Sequence, residues 1–201
     1  MFATMYVPDK GALGRYFNYL DRYKNYASMG ISNLIFIDDG SNPSDLVGLK
    51  IPIFLSLPPE LPPVSIYTFP DHLGRLTLED FPGWWRSFKF SAILAETYGF
   101  ERILHLESDA VILSEALKDY LSEKTSGWSV LWCPFYKMPE TQIQVICKDQ
   151  FEAVKQVVPR AKEPEFCLPF TSVIQDFKGD RHHEVGLEIP PDADFSCQLG
   201  G

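Results

Sequence analysis

The 201-residue chain carries a formal charge of −9 with no basic block, which argues against a nucleic-acid partner, because phosphate backbones demand a basic face. With 45% hydrophobic and 14% aromatic residues it can build a full core, which excludes wholesale disorder, and its length fits one domain. No apolar run approaches the ~18–20 residues of a membrane span.

Residues 1–7 lack the basic start and long apolar core of a signal peptide. The cysteines at 133, 147, 167 and 197 form no Cys-x-x-Cys pair. Reduced thiols and a cytoplasmic location follow as expectations, with Cys133 and Cys147 as buried filler. A phosphate-bearing small molecule stays compatible with the net charge if a metal and a few local cations offset the acids.

In chain order, residues 2–7 predict a buried strand, broken by Pro8-Asp9-Lys10-Gly11. The next glycines, Gly11 and Gly14, lack the Lys-Ser/Thr of a P-loop and the Gly-x-Gly-x-x-Gly of a dinucleotide site. The 3.6-residue period of Leu13, Phe17 and Leu20 predicts a helix over 13–27, ended at Met29-Gly30. Residues 33–37 form a second strand that stops in Asp38-Asp39-Gly40-Ser41. That stop either places carboxylates at a sheet edge or makes a plain Asp-Gly turn.

Further strands are expected within 51–57 and 64–69, joined by the extended proline cluster of 58–63. After a loop over 70–83, a helix should run from Trp84 to Tyr98 and end at Gly99 in a left-handed cap. Arg86 and Lys89 share one face near its start, where dipole and free amides also favour an anion; an ordinary solvated face is the alternative. A short helix over 114–121, strands over 128–133 and 141–147 joined as a hairpin, and a helix capped by Asp149 and stopped by Pro159 complete the readable part. From Glu163 the order is hard to read; residues 179–184 are either a polar surface loop or a cluster of catalytic groups, and the stretch from Ile189 reads as a tail.

The strand over 102–106 is too apolar for a solvent face apart from His105, which suits a buried parallel strand. Glu107-Ser108-Asp109 follows it. If this segment stays extended, Glu107 and Asp109 point to one side and can share a hard cation, Mn²⁺ or Mg²⁺. Otherwise they are turn residues. Alternating strands and helices with acids at two strand ends predict an α/β fold: a three-layer α/β/α sandwich on a mostly parallel sheet, with an antiparallel addition.

Strand, helix and strand ending Ile-Asp-Asp-Gly-Ser, then the block from Lys89 through Ile-Leu-His-Leu-Glu-Ser-Asp, resemble the nucleotide-sugar glycosyltransferases of the GT-A fold over roughly residues 2–135. The resemblance implies a nucleotide-binding half over 1–113 and an acceptor-side half over 114–201. It implies that Asp38, with Asp39, reads the base, and that Thr4 and Tyr6 line the nucleoside pocket. Arg86 and Lys89 would face the diphosphate or sugar. Asp109 would hold the metal, with Glu107 and Ser108 beside it, Glu107 standing where the family's Asp-x-Asp motif has its first Asp. The donor would be a nucleoside-diphosphate sugar, a UDP-sugar first, and the acceptor a glycan or lipid-linked sugar by analogy. An inverting transfer needs a carboxylate to take the acceptor's proton; Asp180 is the first candidate and Glu184 the second. His182 or His183 would instead complete a metal shell. Two other readings stand beside this one: a nucleotide-sugar-binding protein without transfer activity, and a sugar nucleotidyltransferase.

Overall fold

Strand β1 (Phe2–Met5) forms the centre of the molecule, with β2 (Leu34–Asp38) hydrogen-bonded on one side and a later strand on the other. The computed structural model describes residues 1–77, 80–134, 137–159, 168–182 and 191–198, with backbone alone at 180–182 and 198. Between β1 and β2 lies helix α1 (Leu13–Arg22). It is shorter than the sequence period suggests. The chain leaves it at Tyr23 and makes a 3₁₀ turn over Tyr26–Met29, which ends on Gly30 at φ 66°.

After β2, Asn42 caps the single-turn α2 (Pro43–Leu46), then come β3 (Ile53–Phe54) and β4 (Val64–Thr68). Helix α3 (Pro82–Thr97) leads into β5 (Arg102–Leu106), β6 (Ala110–Ile112) and α4 (Glu115–Ser122), the last capped by the Ser114 hydroxyl on the Leu117 amide. The hairpin of β7 (Trp128–Cys133) and β8 (Met138–Cys147) precedes α5 (Phe151–Gln156). Strands β9 (Ser172–Ile174), β10 (Gly179–His182) and β11 (Phe195–Gln198) close the described chain.

The main sheet runs β3-β4-β2-β1-β5-β8-β7-β9. Every pair in it is parallel except the two that β8 makes, with β5 and β7. The fold class read from the sequence is therefore observed: a mostly parallel sheet with an antiparallel addition. Side-chain alternation sorts the core into two layers. Leu34 and Phe36 pack with Leu13, Tyr16 and Tyr19 of α1 and Leu117 and Leu121 of α4. Ile35 and Ile37 pack on the other face with Trp85, Phe88 and Ala92 of α3 and Phe151 and Val154 of α5. Helices thus cover both faces, which is why β2 is buried along its whole length and shows no polar alternation.

A small second sheet, β10-β11-β6, corrects two expectations. The supposed tail from Ile189 supplies β11, which runs antiparallel to β6 and parallel to β10. The supposed polar loop supplies β10. Local propensity hid both, because their partners lie far away in sequence: Ser196 pairs with Val111 and with Asp180. Asp149 also differs from its reading. Its carboxylate accepts from the Gly127 amide at 3.0 and 3.1 Å and fastens the β7 entry, while a 3₁₀ turn rather than a cap leads into α5. Cys133 and Cys147 are buried, as expected, and so is Cys197. Among the described residues no helix is long and apolar enough to cross a membrane.

Candidate functional site

The strand order creates a topological switch. From β1 the chain builds outward through β2 and β4, then crosses back to place β5 on the opposite flank of β1. Helices leave the two flanks on opposite faces, so a crevice opens outside the carboxyl ends of β1 and β5, the place where open parallel sheets bind ligands. A cleft of about 500 Å³ lies there. Thr4, Met5 and Tyr6 come to it from β1, Arg15 and Tyr16 from α1, and Glu107, Ser108 and Asp109 from the end of β5. The loop before α3 adds His72, Gly74, Arg75 and Phe81, and the start of α3 adds Gly83, Trp84 and Ser87.

Glu107 and Asp109 reach this cleft by a different route from the one expected. The segment is not extended. The Ala110 amide donates to the Glu107 carbonyl at 3.0 Å, closing a turn between β5 and β6. The Glu107 amide donates in turn to the Gln142 carbonyl at 3.0 Å, which ties the turn to β8. The Trp84 indole N–H donates to Glu107 Oε1 at 2.9 Å, and His105 Nε2 stands 3.8 Å from the same oxygen. Burial first, then the Glu107 charge, pushes the Asp109 carboxyl up to about 7, with a smaller contribution from Glu140 and a counteracting one from Arg15.

Such a pair of carboxylates suits a hard divalent cation, whose charge would relieve their repulsion. Among the described residues no group of three or more His, Cys, Asp or Glu stands together as a metal site. Two protein carboxylates with substrate oxygens and water in the rest of the shell make up the usual arrangement for Mg²⁺ on phosphates. The residues present fit the group on those terms.

The aspartates of the β2 end are placed differently from what the resemblance implies. Asp38 is fully buried and does not line the cleft. Its carboxylate accepts from the Ser41 amide (2.7 Å), the Ser41 hydroxyl (2.5 Å) and the Thr68 hydroxyl (2.5 Å). The Ser41 oxygen also accepts from the Val7 amide at 2.7 Å, so the cluster stitches β1, β2 and β4 together just past their ends. Burial raises the Asp38 pKa against the pull of those donors.

Asp39 does line the cleft, but its carboxylate is engaged. Arg86 Nη2 donates to Oδ1 at 2.5 Å, the Gly74 amide donates to Oδ2 at 2.7 Å, and His72 Nδ1 lies 3.0 Å from Oδ2. A Cβ on Gly83 would overlap Asp39 Oδ2, so only glycine lets α3 start against this carboxylate. Gly40, at φ 81°, is required for the same reason against the Asp71 backbone.

Arg86 is taken up by this cluster. Besides Asp39 it donates to the Asp71 carboxylate at 3.1 Å and the Asp71 carbonyl at 2.5 Å, and its guanidinium lies 4.0 Å from the Phe69 ring centre. Neither Arg86 nor Lys89 lines the cleft. The cations that do are Arg15 and Arg75. Sequence reading gave neither a place in the site: Arg15 ends Lys10-Gly11-Ala12-Leu13-Gly14-Arg15, a poor version of a nucleotidyltransferase's glycine-rich basic loop, and Arg75 stands in a loop outside any motif. The structure brings Thr4, Tyr6, Asp39, Glu107, Ser108 and Asp109 together along this cleft.

Tyr6 adds an unforeseen feature. Its ring stacks on His72 with centres 3.7 Å apart and planes 15° apart. Tyr16 holds the Tyr6 backbone from both sides, accepting its N–H at 3.0 Å and donating to its carbonyl at 2.8 Å.

Of the second-half candidates, Asp180 lies on β10, where backbone register pairs it with Ser196 and, one strand further, Val111. Two strand spacings, roughly 10 Å, separate its backbone from the strand that begins directly after Asp109. His182 ends the same strand. Glu184 and His183 lie outside the described residues.

No protein-family profile and no curated protein matches the sequence. Among solved structures the chain is similar to the crystal structure of a glycosyltransferase involved in the glycosylation of the major capsid of PBCV-1, at 14% identity and a TM-score of 0.40. The likeness covers 78% of this chain and 64% of that one, so the chain spans less than two thirds of that protein's length.

Proposed function

We propose that the protein is a glycosyltransferase that moves a sugar from a nucleoside-diphosphate sugar, a UDP-sugar first, to a glycan or lipid-linked acceptor. The observation that supports this reading is the composition of the switch-point cleft. Two carboxylates that repel each other, Glu107 and Asp109, share it with Arg15, Arg75 and an exposed ring at Tyr6. That set suits a ligand that carries both phosphate groups and an aromatic base.

Mn²⁺ or Mg²⁺ held by Asp109 and Glu107 would supply Lewis-acid stabilisation of the diphosphate leaving group. The chain's own residues do the rest. Arg15 and Arg75, both exposed at the cleft, would offset the charge that builds on the departing diphosphate. The Trp84 indole N–H, donated to Glu107 at 2.9 Å, would hold that carboxylate toward the ligand. Asp180, brought by β10 to the sheet that continues from Asp109, is the candidate to take the acceptor hydroxyl's proton.

Calorimetric titration with UDP, with and without Mn²⁺, tests the reading. Metal-dependent binding in the native protein that Asp109→Ala abolishes supports it, and the absence of binding by any nucleoside diphosphate overturns it. A protein that binds UDP-sugars but neither transfers nor hydrolyses them would be a binding protein instead. The nucleotidyltransferase reading has less behind it. Asp9 Oδ1 already accepts the Gly11 and Ala12 amides at 2.7 and 3.3 Å, the groups a phosphate loop after β1 would offer.

A further inference from the structure

His105, on β5 two residues before Glu107, is 1% exposed, and its ring nitrogen Nε2 is buried without a hydrogen-bond partner. An unpaired polar atom at that depth costs free energy, so it calls for a physical reason. The groups packed around the ring do not satisfy it. The Trp84 and Phe88 rings stand nearly perpendicular to it, with centres 5.9 and 5.0 Å away, and carry no conventional acceptor. Gln144, opposite His105 on β8, turns its amide elsewhere: its oxygen accepts from the Trp128 indole at 2.8 Å and its nitrogen donates to the Thr141 carbonyl at 2.6 Å.

What Nε2 does approach is Glu107. Residues two apart along a strand share a face, and Glu107 Oε1 stands 3.8 Å from Nε2, just beyond hydrogen-bond length. A shift of about 1 Å would close that gap. The same oxygen already accepts the Trp84 indole N–H at 2.9 Å, whereas Oε2 accepts no hydrogen bond among the described residues. Carboxylates that ligate a metal are themselves held by outer hydrogen-bond donors, which set their orientation.

We propose that His105 is a positioning residue for Glu107: as the neutral Nε2–H tautomer it donates to Oε1 beside the Trp84 indole, which leaves Oε2 to the cation. The proposal rests on the metal-dependent reading above. It gives the buried nitrogen a partner in the loaded state that it lacks in the empty one. A histidine that merely filled the space beside Trp84 and Phe88 would instead be replaced by phenylalanine without loss of metal affinity.

The test is Mn²⁺ affinity in the presence of UDP, read from the paramagnetic resonance signal of free Mn²⁺, on the native protein, His105→Phe and His105→Gln, each first checked for a cooperative melt. His105→Phe keeps a buried ring without the donor and should weaken Mn²⁺ by about 10-fold, the low end for loss of an outer partner. His105→Gln keeps a side-chain N–H and should stay within about 3-fold of the native protein. Unchanged affinity in His105→Phe overturns the proposal. So does a His105→Gln as weak as His105→Phe, because the shape of the ring rather than its N–H would then matter. The native protein gives a readout that needs no variant: in nuclear magnetic resonance with isotope-labelled histidine, Nε2 of His105 should carry a proton that moves downfield when Mg²⁺ and UDP are added. A bare Nε2, or a proton that does not move, overturns the proposal even if neither variant folds. Failure of the native protein to bind Mn²⁺ with UDP instead removes the metal-dependent reading itself.

Discussion

Trp84, on the first turn of α3, donates its indole N–H to Glu107 at the end of β5, 23 residues later in the chain and 2.9 Å away. The bond joins a helix start to the acid turn across the cleft that both line. It also makes Trp84 a reporter: a cation bound at Glu107 changes the charge next to the indole. Mn²⁺ titration should therefore alter tryptophan fluorescence in the native protein, and Trp84→Phe should remove most of the change. The same substitution should destabilise the protein by about 1.5–3 kcal/mol, the range for a hydrogen bond to a charged group, measured by urea unfolding.

Asp109 predicts a pH dependence. Its folded-state pKa is raised from 3.8 to about 7, so between those values the native state holds a proton that the unfolded state has released. Stability must then fall as pH rises through that window, and the whole cost is present above about pH 7. With chelator present, Asp109→Asn should match the native protein near pH 4 and exceed it by on the order of 3 kcal/mol at pH 8. Unfolding midpoints across pH 4–8 check this. A constant difference across the range would show that Asp109 carries no such penalty.

Two glycines make a paired prediction. Gly83→Ala must displace the Asp39 carboxylate, which lies where the new Cβ would go, and should cost about 2–4 kcal/mol by overpacking against an ion-paired group. Gly14, in α1, has nothing within 4 Å of its Cβ position. Gly14→Ala should instead stabilise by about 0.5–1 kcal/mol, the helix-interior difference. Thermal melts of both variants test the contrast.

Thr68→Val keeps shape but deletes the 2.5 Å donor to Asp38. The buried carboxylate would keep its two bonds from Ser41 and lose the third. A loss of about 1.5–3 kcal/mol is expected, from denaturant midpoints at pH 7. Because Asp38 stands behind the cleft wall, nucleotide affinity in the folded variant should change by less than about 3-fold, under ~1 kcal/mol.

The sequence by itself determined the parallel half of the fold. Buried strands such as 34–38 and 102–106 are apolar apart from Asp38, Arg102 and His105 because helices cover both faces of the sheet, and Gly99 marks the end of α3 by a φ of 68° that few other residues adopt. The acids that follow β5 were also legible as cleft residues, because they stand at a strand end beside the switch point, where open parallel sheets collect ligand groups. Tertiary structure alone decided which charges line the cleft. Asp38, Asp39 and Arg86 look available in one dimension, yet Ser41, Thr68, Gly74 and Asp71, some of them tens of residues away, engage them. Arg15, in only a poor version of a basic loop, and Arg75, in none, arrive at the cleft from α1 and the loop before α3. The small sheet of β6, β10 and β11 was unreadable on the same ground. Short strands are stabilised by their cross-strand partners, and a pairing such as Val111 with Ser196 leaves no local pattern.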